Sequence, residues 1–110
     1  MITGIGKSVF TEPLKTYLCK AALKHINTRP IVIIGRMGSG VGHYSMAIAS
    51  QINSTIITVK NLSEFVESGG CNNDIIQAYA AGHRVIVHAQ SFDELRRSGL
   101  NYSNFKLLSV

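Results

Sequence analysis

Four of the chain's ten glycines, Gly35, Gly38, Gly40 and Gly42, fall in one stretch, which reads Gly-Arg-Met-Gly-Ser-Gly-Val-Gly-His from 35 to 43. An apolar run, Ile31 to Ile34, leads into this stretch, and an apolar-periodic segment leaves it. A strand that passes through a glycine loop into a helix aims backbone N–H groups and the positive end of the helix dipole at one point, which suits a phosphate or another anion. Glycine at this density costs folding entropy, so positive φ angles or close backbone approach are the physical reasons to keep it. The spacing therefore predicts φ above zero in at least one of Gly38, Gly40 and Gly42. The candidate anion loop is Gly35, Arg36, Gly38, Ser39, Gly40, Gly42 and His43, with Arg36 and His43 supplying charge.

Several elements must position this loop. Thr11-Glu12-Pro13 reads as a helix start, and Leu14, Leu18, Ala21, Ala22 and Ile26 form one apolar stripe opposite Lys15, Lys20 and Lys24, so a first helix is expected over 11–26. A strand at 31–35 follows, then the loop, then a helix near 43–52 with Met46, Ala49 and Ile52 inward. The β-branched run from Ser54 to Val59 predicts a second strand, Leu62 to Val66 a short helical turn, and Ser68-Gly69-Gly70 its end. Asn72-Asn73-Asp74 offers caps for a helix at 74–81, and Arg84 to Ala89 reads as a third strand. Ser91-Phe92-Asp93-Glu94 has the S-x-x-E form of a capping box, which starts a helix running to about Arg97. Phe105 to Val110 makes a last strand. Strands rich in Val and Ile that alternate with helices predict an α/β fold: a three-layer sandwich with a small, mainly parallel sheet, helices on both faces and right-handed crossovers.

Ligands of such sheets lie at the carboxyl ends of the strands. Those ends bring Lys60, His88 and Gln90 toward the glycine loop as possible cleft partners, with His43 and His88 facing one another. The competing reading is that His43 caps a helix or meets solvent and that His88 is a strand residue satisfied by its neighbours. A metal site on His43 and His88 needs a third ligand from the distant Cys71 or His83, and Ser91 beside His88 lacks an elbow motif and an acid, so neither a metal ligand set nor catalytic residues are expected. Met37, an apolar residue at a loop tip, suits a partner contact. Tyr44 and Tyr102 are too scattered for a stacking platform.

The glycine spacing resembles the G-x-x-x-x-G-K-[ST] loop of P-loop NTPases, with Gly35 and Gly40 at the glycine places. Gly35-Arg-Met-Gly38-Ser39-Gly40 is similar to the Gly-Pro-Thr-Gly-Ser-Gly of secretion and type IV pilus motor ATPases. In the same family an Ala-rich helix ends in Gly-His, enters a strand and delivers a histidine to the nucleotide phosphates; Ile76 to Ser91 resembles this, with His88 at that place. The two stretches cover under half of the chain. The resemblance implies a P-loop-like domain, but Val41 and Gly42 stand where the phosphate-neutralising Lys and the Mg²⁺-holding Ser or Thr belong. The six acids (Glu12, Glu64, Glu67, Asp74, Asp93 and Glu94) all lie away from strand ends, so no Walker B acid is available. A dinucleotide G-x-G-x-x-G also fails, because His43 occupies the third glycine place.

Composition bounds the rest. With 110 residues, 45% hydrophobic and 15% charged, the chain reads as a single domain over 1–110 able to bury a core. No apolar stretch approaches the ~20 residues of a membrane span, and no signal-peptide run is visible, so a cytoplasmic location is expected. Cys19 and Cys71 read as partly buried thiols without metal spacing. The net charge of +5 resides in residues 1–54, where six bases face Glu12 alone; the remainder balances five against five. Such a half could meet nucleic acid or an acidic partner, or could be one solvated helix face. The expected function is a catalytically inactive, P-loop-like protein-interaction or regulatory module, such as an inhibitor, whose partner is another protein, for example a full-length ATPase. The alternatives are a protein that binds nucleotide or phosphate without hydrolysis and a basic nucleic-acid-binding domain. No cofactor is required beyond that nucleotide or phosphate.

Overall fold

The aliphatic, β-branched runs form the strands, and their alternation sets which side chain meets which layer. In the computed structural model the described residues are 19–36, 38–52 and 54–109. Within them helix α1 occupies 19–25. It is followed by β1 (Ile31–Ile34), α2 (Val41–Ala49), β2 (Ile56–Val59), α3 (Leu62–Glu67), α4 (Asn72–Ala80), β3 (Arg84–Ala89), α5 (Phe92–Arg97) and β4 (Lys106–Ser109). The expected helix start at 11–13 and the glycine-loop tip Met37 lie outside the described residues.

The four strands make one sheet in the order β2-β3-β1-β4. All three pairings are parallel, with Ile31 opposite Ile86 and Lys106, and Ile56 opposite Arg84. Ile31, Ile33, Ile86 and Leu108 point to one face, where Ala22 and Ile26 from α1 and its following turn and Val41, Tyr44 and Ile48 of α2 cover them. Val32, Val85, Val87 and Ala89 point to the other, beneath Leu62 of α3, Ile75 of α4 and Leu95 of α5. The chain is thus an α/β domain with a fully parallel sheet between two helical layers. The step from β1 to β2 crosses the sheet in one direction over the α2 face, and the two later steps return in the other direction over the opposite face. Reversing both direction and face gives the three crossovers a common hand, as the strong preference for one hand requires.

Local chemistry sets the element ends. The Asn61 side chain accepts from the Glu64 amide at 3.0 Å and the Ser91 hydroxyl accepts from the Glu94 amide at 3.0 Å, each supplying an N-cap. Gly70 lets the Phe65 ring approach the backbone, since a Cβ there would lie 2.5 Å from that ring and would displace it.

Three expectations need correction. The second helix starts at Val41, inside the loop as read from sequence, and its inward residues are Val41, Tyr44, Ser45 and Ile48. Met46 is 72% exposed, because the apolar period begins at the valine in the lysine place and not at residue 43. The fourth helix begins at Asn72, whose side chain is withdrawn from capping: it donates to the Asn101 carbonyl and accepts from the Asn101 amide, both at 2.8 Å. Cys71 is exposed where a partly buried thiol was expected.

Candidate functional site

The strand order places one crevice where the chain leaves adjacent strands toward opposite faces. From the end of β1 it turns to α2, and from the end of β3 to α5. Such a switch point at the carboxyl ends of parallel strands is where open α/β sheets hold ligands. Gly35, Arg36 and residues 38–40 follow the end of β1 there. The Gly35 amide donates to the Ala89 carbonyl at 2.9 Å and so extends the β1–β3 ladder by one rung. The chain then turns sharply, with the Ser39 amide donating to the Arg36 carbonyl at 3.0 Å.

Gly38 and Gly40 have φ of 86° and 93°, the left-handed region that favours glycine, which meets the expectation for this loop. Gly42 has no positive φ, and a Cβ there would touch nothing within 4 Å. Gly40 is the N-cap of α2 and brings no side-chain cap, and no acid sits in the first turn. The first intrahelical bond runs from the Tyr44 amide to the Gly40 carbonyl at 3.1 Å, so the amides of 41–43 have no helical acceptor. The Ser39 hydroxyl is buried without a partner. Val41, at the place of the phosphate-neutralising lysine, belongs to the core. Arg36, Gly38, Gly42, His43 and Met46 are all exposed on the outside of the loop and of α2.

His88 lies beneath α2. The Ser45 hydroxyl and His88 Nε2 are in close hydrogen-bond contact, tying the helix to β3 one turn past its start. Burial lowers the His88 pKa, and the nearby charge of Lys60 lowers it further, so the neutral ring is favoured near pH 7. Lys60 is exposed at the end of β2, on the same side as His88.

The structure therefore gathers Gly35, Arg36, Gly38, Ser39, Gly40, Gly42 and His43 on one loop, with His88 and Lys60 beside it. His43 and His88 do not face one another, since His43 is on the exposed side of α2 and His88 is covered by it. Gln90 separates from the group. Its amide donates to Glu94 Oε1 at 2.8 Å, and it lines a groove of about 450 Å³ between α3 and α5, together with Ser63 and Arg97. Ser91 is a helix cap and not a partner of His88. Ser45 is the residue that sequence reasoning missed; only a helix period counted from Val41 directs it at β3.

Among the described residues no cluster of three or more His, Cys, Asp or Glu side chains could hold a metal ion, and no helix is long and apolar enough to cross a membrane. Comparison with protein-family models, with curated proteins and with solved structures finds no match to this chain.

Proposed function

We propose that this chain is a catalytically silent, P-loop-like domain that acts as a protein-interaction or regulatory module, presenting its glycine loop and the outer face of α2 to a partner protein. The observation that carries this reading is Val41. The side chain that would neutralise a phosphate is replaced by one turned into the core, while the surrounding loop keeps its glycine geometry at the switch point. Removing a group that stabilises developing phosphoryl charge costs orders of magnitude in rate, and the carboxylate beside the end of β3, Glu94, is engaged by the Gln90 amide and the Ser63 hydroxyl on the face of the sheet opposite α2. What the surface offers is a contact patch: Arg36 for charge, His43 for hydrogen bonding, and the flexible thioether of Met46 as an exposed apolar anchor. A complete ATPase of similar layout is one partner that such a loop suits.

A second reading, a nucleotide or phosphate holder without turnover, is favoured by the acceptor-less amides at the start of α2 and the unpartnered Ser39 hydroxyl. Thermal melting with ATP, GTP, cyclic dinucleotides and sulfate separates the two, because a ligand that binds only the native state raises its Tm. The interaction reading expects no shift and no phosphate release above background. It also expects partner binding to be lost in Met46→Asp with the fold intact. A nucleotide-dependent rise in Tm shifts the assignment to the second reading, and phosphate release that disappears in His88→Asn overturns both.

A further inference from the structure

The opposite end of the sheet gathers basic side chains. At the amino ends of the strands the fold collects Lys24, His25, Arg29, His83, Arg84 and Lys106. The Arg29 amide donates to the His25 carbonyl at 3.0 Å, and the Lys106 amide to the Pro30 carbonyl at 2.9 Å. Extending the pairing of Ile31 with Ile86 back by two residues brings Arg84 beside Arg29. The Arg84 guanidinium is held in place by Asn27 Oδ1 at 3.0 Å, by the His83 carbonyl at 3.0 Å and by the Tyr79 ring, whose centroid is 5.3 Å away.

Among the described residues none of Lys24, Arg29, Arg84 and Lys106 forms an ion pair with a carboxylate. The ion pairs among the described residues both belong to Asp93, with Arg96 and Arg97. Two polar atoms in the cluster, Arg29 Nε and His83 Nδ1, are buried with no hydrogen-bond partner. The positive charges of Lys24, Arg29 and Lys106 also depress the pKa of His25, after burial.

We infer that this end of the sheet is a contact surface for the phosphodiester backbone of nucleic acid. The chemistry favours that ligand over an acidic protein. Protein interfaces are built on an apolar centre, whereas of the large apolar residues exposed among the described ones, Met46, Ile57, Ile76 and Phe92, only Ile57, the register partner of Val85, comes next to this cluster. Cations without an apolar anchor match the polar, strongly positive character of a backbone interface. The surface is separate from the glycine loop, so its test is independent of the proposed function.

The test is fluorescence anisotropy with a labelled DNA duplex and a labelled single-stranded RNA over a range of salt concentrations. Each is expected to bind irrespective of sequence, and the four full charges predict a log–log salt slope near −3.6 for the duplex, from about −0.9 per phosphate. The double variant Lys24→Gln/Lys106→Gln should lose about two phosphates' worth of that slope, and Arg36→Gln/Lys60→Gln at the other end should keep it all. In the parent protein, NMR titration with the duplex should move amides at 24–29, 83–84 and 106 ahead of those at 36–43, a readout that needs no variant to fold. Absence of binding at low salt, an unchanged slope in the first double variant, a loss in the second, or equally tight binding of poly-glutamate would overturn the inference.

Discussion

Ser45 and His88 form a side-chain hydrogen bond that ties the glycine-loop helix to the sheet, and their chemistry sets a pH dependence. The His88 pKa is lowered in the folded protein by burial and then by Lys60, whereas in the unfolded chain it returns to about 6.5. Between those two values the unfolded state binds the extra proton, so stability rises with pH there. The contribution is complete above the unfolded value and is lost as pH falls below it toward the folded one. The Tm should therefore drop between pH 7.5 and pH 5.5, and His88→Asn should flatten that drop. The lowered pKa of His25 acts in the same direction and leaves a residual slope in the variant. An identical slope in parent and variant, followed by circular dichroism, rejects the assignment. Ser45→Ala leaves His88 Nε2 half-buried without its partner, and denaturant titration should show a loss of about 1–3 kcal/mol.

At the scale of elements, the loop glycines divide into two kinds. Gly40 holds φ of 93°, so Gly40→Ala forces a side chain into the left-handed region and should cost about 1–2 kcal/mol. Gly42 lies in the first turn of α2 with ordinary φ and open space at its Cβ position. Gly42→Ala should therefore stabilise by up to about 1 kcal/mol through helix propensity alone. Equilibrium unfolding of the two variants should show opposite signs, and equal signs would undo the division. The same elements mark how much was legible from sequence. The third strand at 84–89, the N-cap at Ser91 and the left-handed loop glycines follow from patterns whose causes are local: β-branching, a hydroxyl at a helix start, and glycine density; the reciprocal half of the box expected at Ser91 does not form, because Glu94 accepts from the Gln90 amide instead. The face of α2 was not legible, because reading Val41 as part of the loop set the helix period two residues late and turned Met46 inward. Ser45 was lost with it. Gln90 was misplaced because strand ends were treated as facing a single cleft, whereas the turn into α5 carries it to the opposite layer.

At the scale of the whole molecule, charge along the chain and charge in space tell different stories. By sequence the excess of five lies in residues 1–54, and the rest is neutral. Folding breaks that neutrality. Arg84 and Lys106 start strands and join Arg29 at one end of the sheet, while Glu64, Glu67, Asp74, Asp93 and Glu94 all reside on α3, α4 and α5. The sheet order brings this about, since β3 and β4 flank β1 and deliver their first residues beside Arg29 and Ile31 respectively. Like charges gathered without carboxylates repel in the folded state more than in an expanded chain, so this arrangement reduces stability. Raising the salt concentration screens charges separated by more than about 10 Å at 0.1 M, and the Tm should rise between 20 mM and 200 mM sodium chloride. Lys106→Gln should produce part of that rise at low salt, and it should also shift the pKa of His25 upward, because Lys106 is the first charge acting on that ring after burial. Proton NMR of the His25 ring measures the shift directly. A His25 titration indifferent to Lys106→Gln, with a Tm independent of salt, would mean that the cations at this end are too far apart to act together.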